Sequence, residues 1–276
     1  MSLFESIIYG IVSGLTEIFP VSSQANQMVM RQIFGVPQKE PIRDLLIHIA
    51  ILAAILLACR GMFAKIRREQ ILAHRMRRNP SQVRALKGVY DMLLVRTAAP
   101  IMLAGLMANL FFKDFYQKRT LFSLVLLINA ALTLVPTYLH QGNRDARAMT
   151  SLDGMLIGFG AALSAIPGIS RNGAIMFMTL IREADKQSGV TWALMLSVPA
   201  MAVLALLDII AIFTVGVGAI TFMTFVGYLI STLFAFLGAY LGVSFIRMLI
   251  SRSDYSVFAY YDFGLALLSF VLYLIA

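Results

Sequence analysis

Glu17 lies in a strongly apolar stretch and is followed within a few residues by Pro20 and the hydroxyl pair Ser22-Ser23. A second apolar stretch carries Pro167-Gly168-Ile169-Ser170-Arg171-Asn172-Gly173. A carboxylate inside hydrocarbon is costly enough to be read first as functional, and it needs a partner. Arg171 is the natural candidate, because its planar guanidinium forks onto phosphate or carboxylate oxygens. The prolines read as turns, each followed by a new helix start with serine near the cap, and such starts present free N–H groups. Gln24, Asn26 and Asn172 add amide donors and acceptors on the same turns. An acid, hydroxyls, a guanidinium and free amides together suit the handling of a phosphate group. Two plainer readings stand beside this one: an ion pair that only locks two segments together, and capping without a ligand.

The two segments also echo one another. Leu15-Thr16-Glu17-Ile18-Phe19-Pro20-Val21-Ser22-Ser23 and Leu163-Ser164-Ala165-Ile166-Pro167-Gly168-Ile169-Ser170-Arg171 align with one gap, which sets Pro20 against Pro167 and Ser23 against Ser170. The offset of 147 residues is close to half of the 276-residue chain. Paired Pro/Gly breaks at corresponding places in two halves point to a binding site near the bilayer midplane, where broken backbone is tolerated if protein or water covers it.

The elements that must position these residues are membrane helices. Hydrophobic residues make up 59% of the chain and charged residues 13%, about half the charged share of an ordinary soluble domain. Mean hydropathy is +0.81. The net charge of +9 does not indicate a nucleic-acid partner, because 9 of the 23 Lys and Arg residues fall between Arg60 and Lys87, a basic loop of the cytoplasmic kind that also suits anionic lipid headgroups. Cys59 is the single cysteine and reads as a helix residue, and the N-terminus lacks a cleaved-signal pattern. No metal-ligand spacing is present, and the 16 methionines read as packing.

Spans are expected near Asp44–Ala58, Val89–Phe112, Leu121–Leu139, Val190–Val215, Phe222–Ile250 and Phe258–Ala276. Residues 3–33 and 153–181 read as re-entrant helix pairs. The fold class is therefore an all-α integral membrane protein forming one membrane domain over residues 1–276. It is built as an inverted-topology repeat, 1–139 and 140–276, with six transmembrane helices plus two re-entrant pairs. With the basic loop inside, the first pair dips from the outer face and the second from the cytoplasm. Arg144, Arg147, Arg182, Lys186, Arg247 and Arg252 then fall inside, whereas Lys39, Arg43, Lys113, Lys118 and Arg119 do not. His48 reads as a packing histidine. Asp91, Arg96, Asn129, Asp208 and Asp262 are further polar residues in or near spans whose partners the sequence does not reveal.

Four stretches resemble the bacitracin-resistance type of undecaprenyl-diphosphate phosphatase, a bacterial inner-membrane family. They are Ser13-Gly14-Leu15-Thr16-Glu17-Ile18-Phe19-Pro20-Val21-Ser22-Ser23, Leu46-Ile47-His48-Ile49-Ala50, Ile166-Pro167-Gly168-Ile169-Ser170-Arg171-Asn172-Gly173-Ala174 and Leu196-Ser197-Val198-Pro199-Ala200. The resemblance implies release of the terminal phosphate from undecaprenyl diphosphate at the outer face, which recycles the lipid carrier for peptidoglycan synthesis. It implies catalytic roles for Glu17, Ser23 and Arg171, with Ser23 or an activated water as the attacking group. It implies Ser22 and Ser23 as the hydroxyl pair and Ser170 with Arg171 as the diphosphate clamp; Gln24, Asn26, Asn172 and Gly173 are candidate substrate contacts only by their place on the same turns, where they could bind a headgroup or satisfy the broken backbone. A divalent cation, Mg or Ca, would sit on Glu17. The partners implied are a polyprenyl diphosphate or phosphate lipid and the membrane, with a homodimer left open.

The chain departs from that pattern. Ser13 stands where the motif usually has a second glutamate, and Gln24-Ala25-Asn26 replaces Thr-Gly-His, removing the expected histidine. Asn172 and Ile175 replace a serine and a threonine, Ala161 a glutamine, and Asp262 a basic residue. The competing expectation is a non-catalytic translocase or binder of a polyprenyl phosphate or other anionic lipid. A structural membrane partner with a vestigial site is a third.

Overall fold

The computed structural model describes residues 1–37, 40–108, 119–138, 142–218, 220–251 and 256–275. Lys39, Lys113, Lys118 and Arg252, used above for orientation, lie outside them. Among the described residues the regular elements are helices, with one isolated bridge between Arg144 and Ala184.

The chain opens with α1 (Leu3–Ile18), started by a capping box in which Ser2 and Glu5 satisfy each other's backbone N–H groups. Phe19 is extended, Pro20 cannot continue the helix, and α2 (Ser23–Ile33) begins after Ser22. Much later the same sequence of events recurs. A Thr150/Asp153 capping box opens α8 (Ser151–Ala162), a short 3₁₀ turn spans Leu163–Ala165, and α9 (Arg171–Ile181) begins after Ser170. Both broken stretches expected at 3–33 and 153–181 are thus helix, break, helix.

The long apolar helices are α3 (Pro41–Ala58), α6 (Lys87–Ala108), α10 (Lys186–Thr214) and α11 (Phe222–Ser251). Among the described residues these four are long and apolar enough to cross a membrane. Shorter apolar segments lie in α7 (Arg119–Tyr138), in α8 and in α12 (Ser256–Ile275). Each expected span corresponds to one of these helices, although residues 109–112, 139 and 276 fall outside the described set. Large apolar side chains face outward along them, as at Leu124, Ile128, Leu233, Leu241 and Leu267. This is a membrane-embedded chain.

The helices pack in a definite pattern. The first hairpin helix α1 lies along α11, α8 lies along α6, α3 is held between α10 and α11, and α7 packs on α12. The α1–α11 contact is close because Gly10 and Gly14 face Ser231, Ala235 and Ala239, so two backbones approach with no side chain between them. Trp192 is fully buried and donates its indole N–H to Asp91 at 2.8 Å.

One expectation is corrected. The basic stretch read as a loop is helical, forming α4 (Arg60–Arg75) and the short α5 (Pro80–Arg84). Ile66 is buried while most of the cations on α4 face outward, and Glu69 accepts the Gly88 N–H at 2.6 Å, tying α4 to the start of α6. An apolar stripe between charged residues was the missed helix signal.

Candidate functional site

The two broken turns present their tips to each other. Ser22 caps α2 by accepting the Ala25 N–H at 3.3 Å, and Ser170 caps α9 by accepting the Gly173 N–H at 3.1 Å. The caps therefore set Ser22 against Ser170 and Ser23 against Arg171. This differs by one residue from the alignment built on the prolines, because the second turn holds an extra residue between its proline and its cap. Gly168 supplies that residue with a φ of +108°, a conformation L side chains rarely adopt.

Across the tips the Arg171 Nη2 lies 2.9 Å from the Glu17 Oε1, with each side chain only 6% exposed. The same Nη2 donates to the Ser197 hydroxyl at 3.1 Å, and that hydroxyl donates to the Ala193 carbonyl at 2.8 Å. The Arg171 Nε is buried and has no hydrogen-bond partner among the described residues. Asn172 ties the tips together, donating its amide to the carbonyls of Glu17 at 2.9 Å and Ile18 at 3.0 Å. Gly173 lets them approach: a Cβ there would stand 3.1 Å from the Pro20 carbonyl oxygen and 3.2 Å from the Ser170 Cβ.

A second layer holds both caps from behind. Asn129 on α7 accepts the Ser170 N–H at 2.7 Å and donates to Asp262 on α12 at 2.6 Å. Asp262 in turn interacts with the Ser22 backbone N–H. Thr133 donates to the Pro20 carbonyl at 3.3 Å. Asn26 donates to the Ser22 carbonyl at 2.9 Å and accepts from the Tyr261 hydroxyl.

The residues singled out by sequence accordingly divide. Glu17, Ser22, Asn26, Ser170, Arg171, Asn172 and Gly173 are buried at the junction, while Ser23 and Gln24 are half-buried. Ser22, Ser170, Asn26 and Asn172 all spend hydrogen bonds on holding the tips. Among the described residues the Gln24 Oε1 is buried without a partner, as is the Ser13 hydroxyl at the position of the absent second glutamate.

The structure also pairs residues that the sequence left unmatched. His48 Nδ1 lies 2.5 Å from Asp208 Oδ2, linking α3 to α10, and Glu17 and Asp44 act on the same imidazole electrostatically. Arg31 pairs with Asp44 and donates its Nε to the Tyr9 hydroxyl at 2.8 Å. Ser197, Tyr261 and Thr133 were not singled out as site residues. Ser197 could have been found, since it stands in one of the four resemblance stretches.

The donors do not fit a resident divalent cation held by the protein. Glu17 is engaged by Arg171, and among the described residues no group of three or more His, Cys, Asp or Glu side chains is placed to hold an ion. With one carboxylate facing one guanidinium the junction is already neutral, so no step below runs through a metal.

The family profile described as "Bacitracin resistance protein BacA" matches residues 6–268. The chain belongs to the BacA family. Relatives include undecaprenyl-diphosphatase 1 of Shouchella clausii (strain KSM-K16), 28% identical over 276 residues that cover 98% of this chain and 96% of that protein. The undecaprenyl-diphosphatase of Carboxydothermus hydrogenoformans is 26% identical, covering 95% and 94% respectively. That of Alkaliphilus metalliredigens is 25% identical and covers 95% of each chain. Membership of the BacA family therefore rests on nearly the whole chain, including both hairpins and the helices that carry Ser197 and Asn129.

Proposed function

We propose that this chain hydrolyses undecaprenyl diphosphate, the activity named for its relatives, releasing phosphate and leaving the lipid monophosphate. The observation that carries the reading is the buried Glu17–Arg171 pair where the two tips meet. A guanidinium that keeps one N–H unsatisfied in a buried setting is poised to take a phosphate oxygen, and a buried orphan donor is rare enough to need an explanation. The incoming diphosphate replaces Glu17 on Arg171, and the helix-start amides of α2 and α9 add donors to developing charge. Glu17, once released, orients the attacking hydroxyl, which belongs to Ser23 or to a water beside it. Ser22, Ser170, Asn26 and Asn172 keep the tips in register.

The finer architecture belongs to the same proposal. The capping boxes at Ser2 and Thr150, the caps at Ser22 and Ser170, and the helix ends Ile33 and Ile181 all stand 148 residues apart. Packing follows the same correspondence: α1 on α11 answers α8 on α6, and α3 on α11 answers α10 on α6. An inverted repeat of residues 1–139 and 140–276 accounts for both patterns. Helices α2 and α9 have 11 residues each, about 16 Å at ~1.5 Å per residue, roughly half of a ~30 Å hydrocarbon core. That length suits re-entrant pairs whose tips meet at the midplane. The cations of α4 and of Arg144, Arg147 and Arg182 favour placing that side in the cytoplasm of a bacterial inner membrane, with the first hairpin entering from outside.

Purified protein supplied with undecaprenyl diphosphate should release inorganic phosphate, and Arg171→Ala and Glu17→Ala should reduce release by at least about 10²-fold, the scale of a lost charge-stabilising donor. Wild-type release no greater than that of the Glu17→Ala variant would sink the reading. Lipid binding or flipping without phosphate release would favour the translocase instead.

A further inference from the structure

Residues Arg60 to Lys87 carry nine cations and one acid, Glu69. Their placement on α4 decides what they meet. Ile66, Glu69 and Gln70 share the face that packs on the start of α6: Glu69 accepts the Gly88 N–H at 2.6 Å, Gln70 donates to the Gly88 carbonyl at 3.2 Å, and a Cβ on Gly88 would stand 3.2 Å from the Ile66 Cα. The acid is thereby withdrawn from the outer face, where its side chain is only 14% exposed. On the opposite face Lys65, Arg68, Ile71, Leu72 and Arg75 recur at three- and four-residue spacing, and all five are exposed. Arg60 and Arg67 are exposed beside them, Met76 ends the helix exposed, and Arg77, Arg78 and Arg84 continue the charge through α5.

We infer that α4 lies along the membrane surface and gathers anionic phospholipid headgroups on its outer face. The helices on either side of it, α3 and α6, are both long and apolar enough to cross a membrane. Cys59 ends α3 and caps the start of α4, and the Ile66–Gln70 stretch of α4 sits on Gly88 at the start of α6. Ile66 and Gln70 follow Cys59 by 7 and 11 residues, about 10–16 Å along the helix axis. A helix that touches two such crossing points, that far apart along its own length, runs along the interface and not away from it. Arg247 on α11 adds an exposed guanidinium at the α3–α4 corner, with its Nη2 3.3 Å from the Cys59 Sγ and 3.9 Å from the Met62 Sδ. Among the described residues no acid pairs with it.

An anionic lipid satisfies both parts of this surface at once. Its phosphate meets the cations, whose apolar stems reach along the interface, and its acyl chains cover Ile71, Leu72 and Met76. A polyanion in water would use the charges and leave those apolar side chains uncovered. A zwitterionic lipid would cover them and leave the charges uncompensated. Preference for anionic over zwitterionic headgroups is therefore the property that this arrangement predicts, and it is independent of the reaction at the hairpin tips.

The test places a reporter on the outer face. The full chain carrying Leu72→Trp is reconstituted in phosphatidylcholine vesicles that contain either brominated phosphatidylglycerol or brominated phosphatidylcholine, and the signal of the fully buried Trp192 is subtracted with wild type. Both brominated lipids should quench the new indole, and phosphatidylglycerol should do so with an apparent association at least about 5-fold stronger, the effect of a single cation near an anionic surface. That preference should fall to near parity in about 0.5 M salt, where screening is strong. It should fall likewise when Arg67→Gln, Arg68→Gln and Arg75→Gln are added to the reporter, with folding checked by thermal melting. If the triple variant does not fold, the salt dependence of the reporter decides. An indole that neither lipid quenches would mean that α4 stands away from the membrane, and equal quenching by the two lipids would mean that its cations select no headgroup; either result overturns the inference and leaves the phosphatase reading untouched.

Discussion

Asn129 holds both hairpin tips at once: its side-chain oxygen accepts the Ser170 N–H at 2.7 Å, and its amide donates at 2.6 Å to Asp262, which faces the Ser22 amide. The two side chains meet where α7 packs on α12, behind the caps. Because Ser170 precedes Arg171 directly, the position of the guanidinium follows from the position of this cap. Asn129→Leu strands the Ser170 N–H, worth about 1–3 kcal/mol when buried unpaired, and removes the Asn129 donor from Asp262, which keeps the Ser22 amide. We expect a lower melting temperature in detergent together with a lower phosphate-release rate. Asp262→Asn keeps an acceptor for both neighbours and should melt close to wild type; equal losses in the two variants would contradict this role.

Structure and chemistry can be separated at the ion pair itself. Removing one partner of a buried pair leaves an uncompensated charge, at a cost of about 3–5 kcal/mol, whereas replacing both with apolar groups is often neutral. Arg171→Met and Glu17→Leu should each lower the melting temperature, and the double variant should regain most of it. Phosphate release should stay lost in all three. A double variant that recovered activity along with stability would make the pair a lock and nothing more.

The sequence made the hairpins and the central pair legible because each has a local signature: a proline or glycine inside an apolar run, a serine at a helix start, and a charge where hydrocarbon is expected. Glu17 and Arg171 could be joined because the echo related their segments. His48 with Asp208 and Asn129 with Asp262 could not be joined, since neither pair shares a motif and both depend on which helix faces which. The register at the tips was read one residue away from the caps for a related reason. Proline marks a break, but the hydrogen bond to the Ser22 or Ser170 hydroxyl decides where the next helix starts. The basic stretch from Arg60 was dominated by its charges, which hid the stripe around Ile66 that makes it a helix.

Gly168 sets how far the second tip projects. Its φ of +108° is strained for any L side chain, and a Cβ would also come within 2.9 Å of the Val125 side chain. Gly168→Ala should therefore destabilise by about 1–3 kcal/mol and move Arg171 away from Glu17. Thermal melting reads the first effect. The second should appear as a kcat loss larger than that of Gly35→Ala, a positive-φ glycine with open space around it.

The close α1–α11 contact makes a similar demand on Gly14, where a Cβ would stand 2.7 Å from the Ala239 amide nitrogen and crowd the Ala235 carbonyl. Two backbones fix that spacing, so no flexible side chain can give way. Gly14→Ala should cost about 1–3 kcal/mol, the range for overpacking a well-filled contact. Gly264→Ala, on α12 with open space around the glycine, should be neutral or slightly stabilising. Gly14→Ala should melt below wild type and Gly264→Ala at or slightly above it, and a stable Gly14→Ala would mean that α1 does not pack on α11 this closely.

Ser13 lies one helical turn before Glu17, is fully buried, and finds no partner for its hydroxyl among the described residues. Ser13→Glu reinstates the second carboxylate of the family motif, and it puts two acids beside a single guanidinium. Like charges at that spacing repel, and a buried unpaired carboxylate is costly, so the variant should melt below wild type in the absence of divalent cation. Two carboxylates do, however, make half of an oxygen cage, and a cation that binds the folded state raises its melting temperature. Added magnesium or calcium should therefore stabilise Ser13→Glu by several degrees and leave the wild type nearly unchanged. If both proteins respond equally, then Glu17 with its present neighbours already accepts a cation, and the neutral junction described for this chain is wrong.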